Sequence, residues 1–252
     1  ANQHQKDKWL NKIINGEMQS TLAFTEPQSR FQLNDVATTA NKKEGNFILN
    51  GKKSFVLNGG ESDLIIVPAR TSGSQNDLKG ITLFAVEKDI AGIEINSYKS
   101  VDGRSAAEIK LNNVSISSDS IIGEIDNGYD ALEATVDEAT LAICAEATGI
   151  MKSLHDKTVE YSKNRVQFGI PIRGFQALQH RMVDTLMACE ETESILLWAI
   201  TTEQADKSAL KKAISGLKYQ IGTAGKHVGQ EAVQLHGGMG ISWELDIAHL
   251  FK

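Results

Sequence analysis

The stretch YSKNRVQFGIPIRGFQALQ, residues 161–179, decides how the second half of this 252-residue chain folds. Two long helical patterns meet in it. Gly169 permits a positive φ, and Pro171 disfavours helix at the residue before it, so the first pattern has to break here. The second helix is expected to begin near Gly174. The stretch therefore predicts a helix, a tight turn and another long helix.

Three side chains at this corner have types that suit a ligand. Arg165, Gln167 and Phe168 fall between the end of one helix and the start of the next. An arginine fork, an amide and an aromatic ring beside a helix N-terminus could hold a phosphate and a flat ring. The alternative is an ordinary helix hairpin, in which Phe168 packs into the core and Arg165 is solvated.

Composition and charge exclude several classes of protein. With 41% apolar and 23% charged residues the chain reads as an ordinary globular protein. A net charge of −6 argues against a nucleic-acid partner, and no run of 18 apolar residues predicts a membrane span. Cys144 and Cys189 lie in helical patterns without zinc-ligand spacing. They predict buried free thiols, no metal site and a reducing compartment, the cytoplasm.

Helical periodicity fills the chain from residue 125 onward. Apolar residues recur at helical spacing over residues 131–164, 176–206 and 208–235. Ser208 is the expected N-cap of the third helix and Gly237-Gly238 its expected stop. A fourth helix is expected to begin near Trp243. These patterns predict an antiparallel helix bundle.

The first half of the chain shows β-type runs instead. The runs are residues 47–49, 55–57, 64–67 and 81–86, with Asn50-Gly51 as a predicted hairpin turn between the first two. Asp102-Gly103 and Asn112-Asn113 are further turn signals. Residues 1–18 read as the end of a helix with an apolar stripe of Trp9, Leu10 and Ile13, and Gly16 as its stop.

Together these patterns predict an α+β protein. A small antiparallel β-barrel or sandwich domain is expected at residues 19–122, and an antiparallel four-helix bundle, incomplete at its end, at residues 123–252. Residues 1–18 are expected to be the end of an upstream helical domain that this sequence lacks.

Four stretches in this order resemble the acyl-CoA dehydrogenase family. They are TLAFTEP at residues 21–27, NGKKSFVLNGG at residues 50–60, RVQFGIPIRGFQALQHRMVD at residues 165–184 and QLHGGMG at residues 234–240. The resemblance covers nearly the whole chain and implies the middle β domain and C-terminal bundle of that family. The end of the bundle resembles a bacterial subset that often acts on bulky or dicarboxylic acyl-CoA esters.

The resemblance implies an FAD cofactor with contacts from the β domain. Phe24 and Thr25 match the loop that hydrogen-bonds the flavin ring, and Phe55 and Leu57 match the tryptophan and threonine that cover it. Phe55 can still cover the ring, whereas Leu57 cannot supply a hydroxyl group. The alternative readings are an ordinary edge strand at residues 21–27 and a strand with core-facing residues at 55 and 57.

The corner and the glycine motif match further cofactor contacts of the family, which are made to FAD bound mainly by a neighbouring subunit. The resemblance therefore implies a homo-oligomer or a heterotetramer. His236 is expected to be a structural histidine. The matching positions are Arg165, Gln167, Phe168, Ile172, Gln176, Gln234, Gly237 and Gly238.

The implied reaction is α,β-dehydrogenation of an acyl-CoA thioester, with a carboxylate as base and electron-transfer flavoprotein as acceptor. The family's usual glutamate base is expected beyond Lys252. The position used by a minority of members is Ala139 here, which leaves Glu138, one residue away, as a weak candidate and Glu146 as a weaker one. Both have the alternative of a solvated helix face.

Two positions bear on substrate. Asp137 matches an acidic substrate contact, but Thr140 replaces the arginine of the family. Arg30 lies in a loop bulkier than the family's small-residue turn and is a candidate for a phosphate contact or a solvated residue. Two other functions stay open: a non-catalytic partner subunit of a heteromeric dehydrogenase, and a flavin oxidase of the same fold.

Overall fold

The computed structural model describes residues 1–202 and 206–252. The chain forms two compact units, Ala1–Ala134 and Thr135–Lys252. The first is built on a β-sheet and the second is helical. The predicted α+β class, with a β domain followed by a helix bundle, is confirmed.

Residues 1–134, all of which are described, form one eight-stranded sheet. The strands are β1 Ser20–Leu22, β2 Thr39–Lys43, β3 Asn46–Leu57, β4 Leu64–Arg70, β5 Ile81–Glu87, β6 Ile93–Lys99, β7 Ser105–Ser117 and β8 Ile121–Ile122. Their order is β6-β7-β3-β2-β4-β5-β8, and β1 pairs with β4. The pairs β1–β4 and β2–β4 are parallel and the others are antiparallel.

A helical segment, α1, packs on this sheet. It consists of Gln3–Gln5, a π-helical turn Lys6–Leu10 and Asn11–Ile14, and Gly16 follows with a φ of 73°. Trp9 is buried against Leu64 and Ala85 of the sheet. The predicted stripe is only partly right, because Leu10 remains 44% exposed.

The predicted hairpin turn at Asn50-Gly51 is wrong. β3 runs without interruption through both residues, and the turn lies at Glu44 and Gly45, whose φ values are 51° and 87°. Gly51 serves packing instead, because a Cβ built on it would lie 2.7 Å from the Cα of Thr38. The glycine permits a close approach of two backbones.

Asn112-Asn113 was also predicted as a turn and lies inside β7. The register passes from Leu49–Val114 to Gly51–Leu111, so both asparagines face Asn50. This is a β-bulge, in which two residues of one strand oppose one residue of the other. The Asn113 N–H donates to Asn50 Oδ1 at 2.8 Å. Turn-forming residues here bend a strand and do not end it.

A buried ion pair, Lys53–Glu26, connects β3 to β4 and to the segment before β2. The Lys53 ammonium lies 2.6 Å from Glu26 Oε1, and their side chains are 0% and 2% exposed. Lys53 also donates to the Pro68 carbonyl of β4 at 2.7 Å, and Glu26 accepts the N–H groups of Ala37 and Thr38. These groups lie where β2 pairs with β4 through a single residue pair. The ion pair therefore satisfies backbone groups that the ladder leaves open.

The protonation state of the pair follows from its surroundings. Burial raises the pKa of Glu26, but the Lys53 ammonium and the hydrogen bonds outweigh burial, and the pKa of this carboxyl lies below its usual range. Glu26 is therefore ionised near neutral pH. Removing one partner of such a pair typically costs about 3–5 kcal/mol, because the other charge stays buried alone.

The described part of the second unit is helical. It contains most of α2 Tyr129–Asn164, together with α3 Gln176–Thr201, α4 Lys207–His236 and α5 Asp246–Phe251. In residues 1–202 and 206–252, no helix is long and apolar enough to cross a membrane. The two predicted thiols, Cys144 and Cys189, are buried and free, and burial raises the pKa of Cys189 to about 11.

Three predicted helix boundaries need correction. Helix α3 ends at Thr201 and not at residue 206, and residues 203–205 of that prediction lie outside the described part. Asp206 caps α4 and not Ser208: its side chain accepts the Ala209 N–H at 2.9 Å. The last helix begins at Asp246, three residues after Trp243. The stop at Gly237 is confirmed by its φ of 60°.

We expect Gly51→Ala to destabilise the chain by about 1–3 kcal/mol, because the added methyl group must displace the backbone of Thr38. Gly149→Ala is the matched control. A Cβ at Gly149, in the interior of α2, meets nothing, so this change should stabilise by about 0.5–1 kcal/mol. Urea unfolding measures both. Equal effects of the two changes would contradict the close-packing role of Gly51.

Candidate functional site

The corner between α2 and α3 is a small β-hairpin. Strand β9 is Val166–Gln167 and β10 is Ile170–Pro171, joined by Phe168 and Gly169 with φ values of 53° and 83°. Two positive φ values in a two-residue loop are typical of a type I′ turn. The turn and the helix break predicted here are therefore present, and α3 begins at Gln176 after a 3₁₀ turn, Ile172–Gly174.

Phe168 does not pack into the core. Its ring is 93% exposed at the tip of the hairpin and touches Phe175 only edge-on, with 6.1 Å between the ring centroids. The alternative reading, in which this residue fills the core of a helix hairpin, is wrong. A bulky residue with a positive φ and an exposed ring holds a conformation that costs free energy and is common at functional sites.

The C-terminal end of α4 faces this hairpin. His236 is buried and stacks on Tyr161 with 4.2 Å between ring centroids, and its Nδ1 donates to the Ala232 carbonyl at 2.8 Å. Burial lowers the pKa of His236, so the ring is neutral near neutral pH. The ring packs between two helices as a structural residue. Gly237 follows with φ 60° and ψ −139°, which only glycine adopts readily.

The hairpin and the end of α4 line an open cleft of about 410 Å³, the corner cleft. Its walls come from two stretches about 65 residues apart in sequence. Eight residues of the helical unit were predicted to contact a cofactor, and seven of them line this cleft: Arg165, Gln167, Phe168, Ile172, Gln234, Gly237 and Gly238.

Gln176, the eighth, is exposed at the start of α3 and is not part of the lining. The guanidinium of Arg165 is exposed and makes no hydrogen bond or ion pair within residues 1–202 and 206–252. Arg165 is held through its backbone instead: its N–H donates to Tyr161 O at 2.9 Å and its carbonyl accepts the Ile172 N–H at 2.8 Å. The cationic group is therefore available to a ligand.

The β domain brings the other predicted cofactor residues together at a second β-bulge. The register passes from Lys53–Ile109 to Val56–Ala107, so Ser54 and Phe55 both oppose Glu108. The Ser54 N–H donates to the Thr25 carbonyl at 2.9 Å. Thr25 and the half-buried Phe24 before it therefore lie beside the bulge. We call residues 24–25 and 54–57 the bulge wall.

The bulge turns Phe55 and Leu57 outward. Their side chains are 51% and 43% exposed, so the reading in which both face the core is wrong. Phe55 has a φ of 49°, a conformation that costs about 1–3 kcal/mol outside glycine. Its N–H donates to Glu108 Oε1 at 3.2 Å, and Glu108 also pairs with Lys52 at 3.0 Å.

Two substrate candidates occupy different settings. Arg30 has a φ of 47° and an exposed side chain, and the ring of Phe31 beside it is 99% exposed. Asp137 lies half-buried on α2, whereas Glu138 and Glu146 are exposed on the same helix.

Thr140 occupies the position at which the resembled family has an arginine. Its hydroxyl donates to the Val136 carbonyl at 2.7 Å.

The sequence reasoning missed Lys53 and the role of Glu26. A signal was available, because Lys53 continues the alternation of Phe47 and Leu49 and therefore falls on the buried face of β3. A lysine there needs a buried anionic partner. In residues 1–202 and 206–252, no group of three or more His, Cys, Asp or Glu could hold a metal ion.

Comparison with known families gives the class of the chain. Residues 21–114 match the acyl-CoA dehydrogenase middle domain, and residues 126–252 match the acyl-CoA dehydrogenase C-terminal domain. The two matches follow the β-sheet unit and the helical unit in order. The chain belongs to the acyl-CoA dehydrogenase family, a family of FAD-dependent oxidoreductases.

Two curated relatives of the chain are named as a reductase and as a subunit of a reductase complex. A 3-(aryl)acrylate reductase of Clostridium sporogenes is 32% identical over 251 residues, which cover 98% of this chain and 66% of the relative. The caffeyl-CoA reductase–Etf complex subunit CarC of Acetobacterium woodii is 26% identical and is also covered to 66%, against 99% of this chain. The chain thus spans about two thirds of the length of these relatives.

Solved structures agree with the fold. An acyl-CoA dehydrogenase from Geobacillus kaustophilus superposes with a TM-score of 0.92 at 29% identity, over 99% of this chain and 67% of that one. The FAD complex of PigA superposes with a TM-score of 0.93 at 27% identity, over 100% of this chain and 66% of that one.

We expect Phe168→Ala to change the free energy of unfolding by less than about 1 kcal/mol, because the ring loses only an edge contact with Phe175. Phe84→Ala is the control: this fully buried phenylalanine should cost about 3–5 kcal/mol. Urea unfolding of both variants decides. A cost of several kcal/mol for Phe168→Ala would mean that its ring is buried in solution.

Proposed function

We propose that this chain binds FAD and belongs to an enzyme that oxidises or reduces the α,β-bond of an acyl thioester. The corner cleft carries the proposal. It collects two glycines, an exposed aromatic ring and an arginine whose guanidinium has no partner among the described residues, all from stretches that are distant in sequence. The bulge wall supports it with a strained, exposed phenylalanine beside a backbone edge.

The cleft residues fit a dinucleotide. Gly238 has no positive φ, and a Cβ built on it meets no atom of the described residues within 4 Å, so nothing in the described fold requires glycine there. A phosphate group of a ligand that approaches the main chain closely would leave no room for a side chain at this position. The Arg165 guanidinium can donate two parallel hydrogen bonds to a phosphate, and the exposed Phe168 ring offers an apolar face.

FAD, when bound, supplies the hydride acceptor or donor for the carbon–carbon bond. The chain's own residues would bind, orient and cover this group. In the β domain, backbone groups of residues 24–25 would hydrogen-bond a flat heterocycle, and the Phe55 ring would cover one face of it. Leu57 adds an apolar edge but no hydrogen bond.

The proton-transfer group stays a prediction. Glu138 and Glu146 are exposed on α2, and exposure does not provide the apolar pocket that a carboxylate base with a raised pKa requires. We keep Glu138 as the weak candidate within this chain. A base from residues that follow Lys252 in a longer protein, as in most of the resembled family, is the stronger proposal.

Substrate and partners are proposed by analogy with the relatives. The named reductases act on aryl acrylates and caffeyl-CoA, which suits our expectation of a bulky acyl group. The CarC relative is named as a subunit of a complex with Etf, which supports electron-transfer flavoprotein as redox partner. We further propose a homo-oligomer or a heterotetramer, in which a neighbouring subunit would supply the rest of the cofactor site, and a cytoplasmic location.

The first test is the visible absorption spectrum of the purified full-length protein before and after anaerobic addition of acyl-CoA thioesters, aliphatic, dicarboxylic and aryl. We expect a flavin spectrum that bleaches with one thioester, because electrons then pass to the flavin. Rapid reoxidation by oxygen would indicate the oxidase alternative. A flavin spectrum that no thioester bleaches would favour the non-catalytic subunit, and absence of flavin would contradict the proposal.

Arg165→Gln should weaken FAD binding by roughly tenfold or more, the loss typical of one charge-assisted contact to phosphate. Arg173→Gln is the matched control, since Arg173 is exposed in the same corner and does not line the cleft. Titration of the apoprotein with FAD, followed by quenching of flavin fluorescence, measures both. Equal losses would contradict a direct role of Arg165.

A further inference from the structure

The bulge wall and the buried ion pair share their chain segments. Glu26 directly follows Thr25, and Lys53 directly precedes Ser54 and Phe55. Two non-covalent contacts therefore join residues 25–26 to residues 53–54. One is the Lys53–Glu26 ion pair at 2.6 Å, and the other is the Ser54 N–H to the Thr25 carbonyl at 2.9 Å.

The pair is anchored on both sides in the body of the sheet. Glu26 accepts the Ala37 N–H at 2.8 Å, and Lys53 donates to the Pro68 carbonyl at 2.7 Å. Ser29 adds a local constraint, because its hydroxyl accepts the Glu26 N–H at 3.0 Å. Hydrogen bonds thus connect both members of the ion pair to neighbouring segments of the β domain.

The wall itself needs such support. Phe55 holds a φ of 49° with half of its ring exposed, so its own packing does not enforce the conformation. Conformations of this kind persist only where the surrounding structure determines them. The charges at positions 26 and 53 lie inside the sheet at 2% and 0% exposure, where solvent cannot replace either partner.

We propose that Lys53 and Glu26 are positioning residues for the flavin ring: their ion pair fixes the Thr25 backbone and the Phe55 ring at one separation. The proposal rests on the proposed FAD binding. Because the pair has no net charge, it acts through geometry, and breaking it should loosen the wall and weaken binding of FAD.

The test compares four forms of the full-length protein: wild type, Lys53→Met, the double variant Glu26→Gln/Lys53→Met, and Leu111→Ala. Leu111 is a buried residue of β7, so Leu111→Ala is a control for loss of stability by a cavity. The measurements are urea unfolding, the dissociation constant for FAD under conditions where each form stays folded, and amide hydrogen exchange of residues 54 and 55 without FAD.

We expect Lys53→Met to raise the dissociation constant for FAD about tenfold, because two wall segments must then be ordered on binding. The double variant should regain stability, since no charge stays buried alone, yet keep the weak FAD binding. Leu111→Ala should bind FAD like wild type. The Ser54 and Phe55 amides should exchange faster in both Lys53 variants and at the wild-type rate in Leu111→Ala.

Two results would overturn the proposal: FAD affinity that follows stability across all forms, and wild-type exchange at Ser54 and Phe55 in Lys53→Met. Failure of the proposed function looks different, because wild type itself would then bind no FAD. In that case the positioning role of Lys53 and Glu26 toward flavin is rejected as well. The exchange data would then report only whether the ion pair stabilises the backbone of the bulge wall.

Discussion

The Lys53–Glu26 ion pair is the interaction on which the β domain depends. The sheet has its fewest paired residues where β2 meets β4 through a single pair. The ion pair lies beside this pair and satisfies the Ala37, Thr38 and Pro68 backbone groups. Two charges in a dry interior are costly unless each has its partner and its hydrogen bonds. Both conditions are met here, so the pair specifies one arrangement of the strands around it.

Irregularities of the sheet place its functional candidates. A regular β3 would alternate from Phe47 through Leu49 and Lys53 to Phe55 and would bury the phenylalanine. The bulge at Ser54 inserts one extra residue, and every later side chain changes face. Phe55 and Leu57 therefore point outward, and Val56 enters the core. Phe55 itself is half-exposed, whereas the charged groups of Lys53, two residues before it, and of Glu26 are buried.

The helical unit also exposes its candidate ligand-binding side chains, but it does so with a turn and a helix end. A two-residue turn with positive φ at Phe168 and Gly169 projects an aromatic ring away from the bundle, and a glycine with φ 60° ends the facing helix. Between them lies a cleft that contains the exposed side chain of Arg165, whose backbone is held by hydrogen bonds to Tyr161 and Ile172. His236 is buried, stacks on the half-buried ring of Tyr161 and adds no charge to the lining of the cleft. Hydrogen-bonded backbone segments thus present exposed side chains to a ligand.

Much of this was determined by the sequence alone. Four ordered motifs gave the family, helical periodicity gave the bundle, and Gly169, Pro171 and Gly237 marked their breaks, because such local signals depend on backbone geometry within a few residues. The partner of a strand is not local. Whether Asn50-Gly51 turns or continues depended on Asn112-Asn113 and Thr38, and the face of Phe55 depended on its register with β7. Only the tertiary structure decided these, since a bulge and a buried ion pair are set by residues that meet through folding.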